Sequence, residues 1–189
     1  MGKVRSRGGV VRVDLEAAEI VLLASLVSQV RELLVEGLPE AATGDSADPL
    51  AAIVGLPAAS AELSEDPALA RLLPDAYRED DDAAAEYRRL MDGDLRVQKA
   101  SALQRVLDDL SSAGSQHGDG QRFELPEDAV TPWLYALTDV RLTLGTRLEV
   151  SEDWEADLGR LDPDSPQFAG FAVYDWLSWL QNAIIESAA

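Results

Sequence analysis

The stretch Val11-Arg12-Val13-Asp14-Leu15, which runs directly into residues 16–36, decides the fold. Apolar and polar residues alternate over 11–15, which is the period of a strand with one buried face. Within 16–36 the apolar residues recur at steps of three and four, which places them on one face of a helix. Gly37 and Pro39 then end the pattern. The sequence therefore predicts a strand that leads into a long amphipathic helix.

A second stretch of the same kind follows later in the chain. Residues 121–125 also alternate, and Arg122-Phe123-Glu124-Leu125 matches Arg12-Val13-Asp14-Leu15 in kind. A helical pattern over 127–144 comes next, with Pro132 tolerated if it lies in the first turn. The simplest pairing joins the two strands, and helices must cover one face because an isolated ribbon is marginally stable. A true repeat and a chance similarity both remain open.

The predicted fold is a predominantly helical α+β domain, with a helical body and a small two- or three-stranded antiparallel ribbon. Residues 147–150 are a candidate third strand or an extension of the preceding helix. The length of 189 residues suits one domain. Residues 1–10 are basic and glycine-rich and are predicted to be a mobile tail, which leaves 11–189 as the domain.

The composition argues against most catalytic chemistry. The chain has no cysteine and one histidine, His117, in a turn-prone loop. These two residue types supply most metal ligands and most groups that titrate near neutral pH. No phosphate-binding glycine loop, zinc spacing or nucleophile motif is present. We therefore expect no enzyme activity, no cofactor, no metal and no thiol switch within the chain.

The charge restricts the partners. Acidic residues outnumber basic ones by 35 to 16, which gives a net charge of -19. Such a surface repels phosphate backbones at long range, so nucleic-acid binding would need basic residues gathered in one place. No apolar run reaches the roughly 18 residues of a membrane-spanning helix, and no signal-peptide core follows the N-terminus. We expect a cytoplasmic protein that does not contact a membrane.

One basic cluster is a candidate DNA-binding site, made by Arg88, Arg89, Arg96 and Lys99. Helical patterns over 83–91 and 95–110, separated by a turn at 92–94, have the outline of a helix-turn-helix. On an unbroken helix the same four residues would share an arc of about 100°. The alternative is that these side chains cover apolar surface and pair with neighbouring acids.

Aromatic residues are concentrated in the last third of the chain, which contains all four tryptophans. Most are expected to build the core, because aromatic side chains dominate core energetics. Trp179 lies beside the main apolar stripe of the C-terminal helical pattern. Since tryptophan is enriched at binding hot spots, Trp179 is a candidate partner-binding residue.

Four segments carry a family resemblance: residues 5–15 with their Gly-Gly pair, 72–78 (LLPDAYR), 133–147 (WLYALTDVRLTLGTR) and 174–181 (YDWLSWLQ). Together they resemble the actinobacterial AosR-type oxidative-stress transcriptional regulators, formerly a domain of unknown function. The resemblance implies a non-enzymatic cytoplasmic regulator that acts with a stress sigma factor at promoters of sulfur-metabolism genes. It also implies oxidant sensing through an internal cysteine pair, which this chain lacks.

The sequence thus predicts transcriptional regulation in an oxidative-stress response through a protein partner, with a stress sigma factor as the candidate, and through DNA contacts. If DNA is bound, the four basic residues and the basic tail should contact it. The first alternative is an acidic interaction adaptor or a structural homodimer that never binds DNA. The second alternative is a carboxylate-dependent hydrolase.

Overall fold

The computed structural model describes residues 2–36, 66–74, 76, 80–112, 120–154 and 158–188. Within them one three-stranded antiparallel sheet lies against a helical body, as predicted. His117 lies outside the described residues. The strands are β1 (Lys3–Arg7), β2 (Val10–Glu16) and β3 (Gly120–Leu125), and the helices are α1 (Ala17–Val35), α2 (Pro67–Leu72), α3 (Asp81–Ser112), α4 (Glu127–Arg147) and α5 (Pro166–Ala188).

Strand β1 replaces the mobile tail that the sequence predicts for residues 1–10. It pairs with β2 along its whole length, with Lys3 opposite Asp14 and Arg7 opposite Val10. Gly8 and Gly9 join the two strands with φ angles of 62° and 80°. Two consecutive residues with positive φ form the hairpin turn whose twist matches that of the strands. The Gly-Gly pair therefore closes a hairpin, and β1 rather than residues 147–150 is the third strand.

Strands β2 and β3 form the predicted ribbon. Val13 lies opposite Phe123, and the pairs on either side of it join Arg12 to Glu124 and Asp14 to Arg122. Because side chains alternate along a strand, the apolar residues of both strands face the helices. There they form the core with the inward faces of α1, α3, α4 and α5.

Helix α1 confirms the prediction that apolar residues spaced by three and four positions lie on one buried face. The N-terminal turn is closed by Glu19, whose Oε2 accepts the backbone N–H of Glu16 at 2.8 Å. Glu19 Oε1 also accepts the indole N–H of Trp176 at 3.2 Å, which ties the start of α1 to α5. The buried side chains are Leu23, Val27, Val30 and Leu34.

Helix α3 is continuous, so the predicted helix-turn-helix over 83–110 is wrong. Gly93 lies within the helix instead of ending it. A glycine costs about 1 kcal/mol relative to alanine in a helix. Burial of Leu103, Val106 and Leu110 against the core outweighs that cost. Asp92 and Arg96, one turn apart, also form an ion pair across the position of Gly93.

Helix α4 runs through the centre of the helical body, in contact with α1, α2, α3 and α5. Pro132 lies in its second turn, not in the first turn as predicted. A proline there leaves the carbonyl of Asp128 without its helical donor. Burial of Trp133, Ala136 and Leu137 keeps the helix intact around it.

Candidate functional site

Two of the four predicted DNA-binding residues are engaged inside the helical body. Arg96 donates to the backbone oxygen of Leu34 at 3.1 Å and pairs with Asp92 at 3.2 Å. Lys99 Nζ donates to Asp139 Oδ1 at 2.6 Å. Both side chains therefore connect α3 to its neighbours, which is the alternative that the sequence left open.

Arg88 and Arg89 lie on the same continuous helix α3, but their side chains are outside the described set. The basic cluster therefore includes two engaged side chains and two that the structure does not describe. DNA binding by these four residues stays a prediction.

Asp139 is a carboxylate in the core, with 2% of its surface exposed. Its Oδ1 bonds Lys99, while Oδ2 has no hydrogen-bond partner in the described structure. Burial raises the pKa of Asp139, and Lys99 opposes part of that rise. The pair connects α3 to α4, but one oxygen of the buried carboxylate is left without a described hydrogen-bond partner, which is unfavourable.

The C-terminal aromatic residues form packing contacts, as expected for most of them. Trp154 stacks on Phe171 with ring centroids 6.0 Å apart and meets the edge of Tyr174 at 5.7 Å. Trp133 donates its indole N–H to Asp109 Oδ2 at 2.8 Å. Trp179 is half-buried and packs against the core. Its role in partner binding stays a prediction.

The outer face of the sheet carries all five basic residues of the strands. Residues opposite each other in the register share a face, so β1, β2 and β3 all contribute cations to the side that faces away from the core. Three carboxylates, those of Asp14, Glu16 and Glu124, share that side. We call this surface the basic sheet face; its cations are Lys3, Arg5, Arg7, Arg12 and Arg122.

Two cations of the basic sheet face are paired. Arg12 binds Glu124 across the ribbon, with 2.7 Å between Nη2 and Oε1. Arg122 binds Asp14, and that hydrogen bond raises the pKa of the Arg122 guanidinium. Two of the three carboxylates on this face, Asp14 and Glu124, are therefore already paired with cations of β2 and β3.

Strand β1 provides the cations that are not paired in this way. Lys3, Arg5 and Arg7 are exposed and make no salt bridge with any residue that the structure describes. Arg5 lies directly opposite Arg12. Glu124 already neutralises Arg12, so the charge of Arg5 remains uncompensated by any residue that the structure describes. The geometry therefore suits contact with an anionic partner.

Other kinds of site are less well supported in the described part of the chain. No three of its His, Cys, Asp and Glu side chains are grouped so that they could hold a metal ion. None of its helices is long and apolar enough to cross a membrane.

The sequence contains a signal for β1, although the basic and glycine-rich composition of residues 1–10 favours a mobile tail. Residues 3–7, Lys-Val-Arg-Ser-Arg, precede Gly-Gly and then the alternating residues of β2. A two-residue Gly-Gly link between two short strands is a hairpin signal. Composition shows that residues 3–7 are basic, but the common face of their cations follows only from the register of the hairpin.

Comparison with known proteins identifies the family. The family model described as "Domain of unknown function (DUF2017)" matches residues 1–188. The chain belongs to that family. No solved structure is significantly similar to it.

Three mycobacterial relatives carry a functional name. The chain is 31% identical over 175 residues to proteins of Mycobacterium bovis and Mycobacterium tuberculosis named "Oxidative stress regulator AosR", which covers 86% of this chain and 76% of each relative. It is 34% identical over 180 residues to a Mycobacterium leprae protein that bears the same name provisionally, with 88% of this chain and 77% of that protein covered. The resemblance to regulators of this type is confirmed.

Proposed function

We propose that this protein is a cytoplasmic, non-enzymatic regulator of the response to oxidative stress. The observation that carries the proposal is the similarity to oxidative stress regulators over more than four fifths of the chain. Composition supports it, because a chain with no cysteine and one histidine has few groups for acid–base or nucleophilic work. The protein then acts by binding other macromolecules.

DNA is one such partner, and the basic sheet face is where it would bind. The net charge of -19 opposes long-range attraction. Lys3, Arg5 and Arg7 lie on one edge strand and make no salt bridge with a described residue, so they can bind phosphates at short range. The sequence predicts DNA contact by Arg88, Arg89, Arg96 and Lys99 together with the basic tail, and this assignment gives the main contact to the part of that tail that forms β1.

A protein of the transcription machinery is the second partner, with a stress sigma factor as the candidate that the family resemblance implies. The lack of cysteine affects how an oxidant would be sensed. A thiol–disulfide switch within this chain is impossible, and we propose that the partner senses the oxidant. Homodimer formation without DNA is the competing role.

A genetic experiment tests the regulatory role. A strain that lacks the gene is exposed to hydrogen peroxide, and its survival and transcript profile are compared with those of strains complemented by the wild type. The proposal expects lower survival without the gene and full recovery with the wild type. Unchanged survival together with an unchanged transcript profile would contradict it.

A binding experiment tests the DNA contact separately. The purified protein is titrated with a labelled double-stranded promoter fragment at several salt concentrations. Each lost phosphate contact should lower the salt dependence of log K by about 0.9, so Arg5→Ala should reduce that slope and weaken binding. Arg71→Ala, which removes an exposed cation from α2, is the control and should leave the slope unchanged. Equal effects of the two variants, or no binding at low salt, would exclude this face.

A further inference from the structure

A groove of about 350 Å³ lies between the C-terminal halves of α1 and α4, away from the basic sheet face. Of its described lining residues, all except Glu36 belong to these two helices, and Glu36 directly follows α1. The apolar part of the lining is made by Leu26, Val30, Leu33, Val140 and Leu144.

The rim of the groove on α1 is polar and acidic. Gln29, Glu32 and Glu36 follow each other at helical spacing and are all exposed. The α4 side contributes Arg147, whose Nη2 binds Asp66 Oδ2 at 2.6 Å. Since Asp66 neutralises that cation, the charges that the described residues leave on the rim are the carboxylates of Glu32 and Glu36.

We propose that this groove binds a basic amphipathic helix supplied by a protein partner. Such a helix would place apolar side chains at i, i+3 or i+4, and i+7 on the groove floor. Its lysine or arginine side chains would meet Glu32 and Glu36. The inference rests on the proposed function only in that the protein works through a protein partner, and it requires no DNA binding.

The dimensions of the groove fit this occupant. On this side the lining extends from Leu26 in α1 to Glu36 at its C-cap, which spans about 15 Å along the helix axis. Anchors at i, i+4 and i+7 of a partner helix span about 10 Å. The groove is therefore long enough for two turns of helix and for a small number of apolar anchors.

The charge of the chain argues against a second copy as the occupant. A copy carries the same net charge of -19 and would bring a mainly acidic surface to an acidic rim. Like charges facing each other across an interface reduce affinity and suppress that pairing. A basic partner, by contrast, gains attraction both from the rim and from the overall charge of the protein.

The experiment uses the full chain and a synthetic peptide probe. The probe is a helical peptide of leucine and lysine only, with the leucines on one face. A second peptide with glutamate in place of lysine is the charge control. Binding is measured at physiological salt by fluorescence anisotropy, and the contact surface is mapped by NMR chemical-shift changes.

Two pairs of protein variants separate the groove from diffuse attraction. Gln29→Trp blocks the groove, whereas Ser25→Trp places the same side chain one turn earlier, outside its lining. Both variants lose the side-chain hydrogen bond between Gln29 and Ser25, and Gln29→Trp also loses the bond that Gln29 donates to the Ser25 carbonyl. Glu32→Lys with Glu36→Lys reverses the rim charge, and Asp175→Lys with Glu186→Lys makes a similar change at exposed positions of α5.

The proposal expects shift changes confined to the groove residues of α1 and α4. Gln29→Trp and the reversal of the rim charge should each lower the affinity for the basic peptide by about tenfold or more. Ser25→Trp and the α5 reversal should change affinity by less than about threefold. Shift changes spread over the acidic surface, or equal losses in both members of a pair, would overturn the proposal.

Self-association that Gln29→Trp abolishes would assign the groove to a second copy, which would also overturn the proposal. These outcomes are independent of the survival experiment. A protein that restores peroxide resistance but does not bind the peptide keeps its regulatory role and loses this surface.

Discussion

The molecule contains two strand–helix units that can be compared residue by residue. The first unit is β2 with α1, and the second is β3 with α4. The strand of each unit contains an arginine, an apolar residue, an acidic residue and a leucine in that order. The two strands pair so that the arginine of each unit lies opposite the acidic residue of the other. Buried positions in the helices also correspond: Leu23, Val27 and Val30 with Trp133, Leu137 and Val140.

The units differ in what surrounds them. Helix α4 contacts four helices, α1, α2, α3 and α5, although its Tyr135 is 58% exposed. Helix α1 keeps a solvent-facing side, where Val21 is 70% exposed. The position of the exposed Gln29 in α1 corresponds to that of the buried Asp139 in α4. Periodicity therefore determines which side of each helix meets the sheet, whereas the neighbouring helices determine the environment of the other sides.

The largest expected effect is at the centre of the second unit. Trp133→Ala should lower the free energy of unfolding by about 5 kcal/mol, and the corresponding Leu23→Ala by about 3 kcal/mol. The tryptophan is fully buried, stacks on Phe123 at 5.1 Å and donates to Asp109. Urea unfolding measures both values. An equal or larger loss for Leu23→Ala would contradict the difference in enclosure.

The second prediction concerns the buried ion pair that only the second unit has. Lys99→Met should lower the free energy of unfolding by about 3 kcal/mol, because it leaves the Asp139 carboxylate buried without a cation. Gln29→Ala, at the matching exposed position of the first unit, should cost less than about 0.5 kcal/mol. Adding Asp139→Leu to Lys99→Met should recover most of the loss. If the double variant is no more stable than Lys99→Met, the buried charge is not the cause.

The same pair predicts a pH dependence. Because burial raises the folded pKa of Asp139 above its unfolded value, the native state binds the proton first as the pH falls. The cost of the buried charge is therefore present above the folded pKa and disappears as the pH falls toward the unfolded value. Lys99→Met removes a contact that lowers the pKa of Asp139. In this variant, the pH window over which Asp139 takes up its proton and the cost disappears should therefore extend to higher pH. Urea titrations of both proteins between neutral and mildly acidic pH measure the window. A loss from Lys99→Met that grows on acidification would contradict the sign.

A third and smaller effect is expected at the start of the first unit. Glu19 accepts hydrogen bonds from the N–H groups of Gly2, Glu16 and the Trp176 indole. The second unit begins after Pro126 with no side-chain cap. Glu19→Ala should cost about 2 kcal/mol, and Glu19→Gln should cost less because one acceptor remains. Thermal unfolding compares the two variants, and equal losses would show that hydrogen bonding is not what Glu19 contributes.

The smallest effect is expected at the ribbon that joins the units. Arg12 and Glu124 are partly exposed, and their coupling energy in a double-mutant cycle should be about 0.5 kcal/mol. Exchanging the two residues, Arg12→Glu with Glu124→Arg, should preserve that coupling. A coupling above about 2 kcal/mol would mean that the pair is shielded from water, contrary to its exposure.

The parts of the fold that depend on local pattern were predictable. The alternation in β2 and β3, the spacing in α1 and the Asp66-Pro67 start of α2 each appear in short windows of sequence. Asp66 caps α2 by accepting the N–H of Ala68 at 2.8 Å, as its position before proline suggests. In these segments local propensity and tertiary packing favour the same structure.

The errors arose where packing outweighs local propensity. Gly93 and Pro132 both lie within helices that remain continuous, because buried side chains before or after them are held by the core. The direction of Arg96 and Lys99 depends on which helices flank α3, and no sequence window contains that information. The basic sheet face was missed because it requires the register of two strand pairs.

The Gly8-Gly9 turn has a consequence for the charge of the surface. In a strand, a shift of one residue exchanges the two faces. With one residue more or fewer in the turn, Arg5 and Arg7 would point into the core, and Val4 would point to water. Whether this side of the protein attracts or repels an anion is therefore set by the parity of a short glycine link, independently of the total charge of the chain.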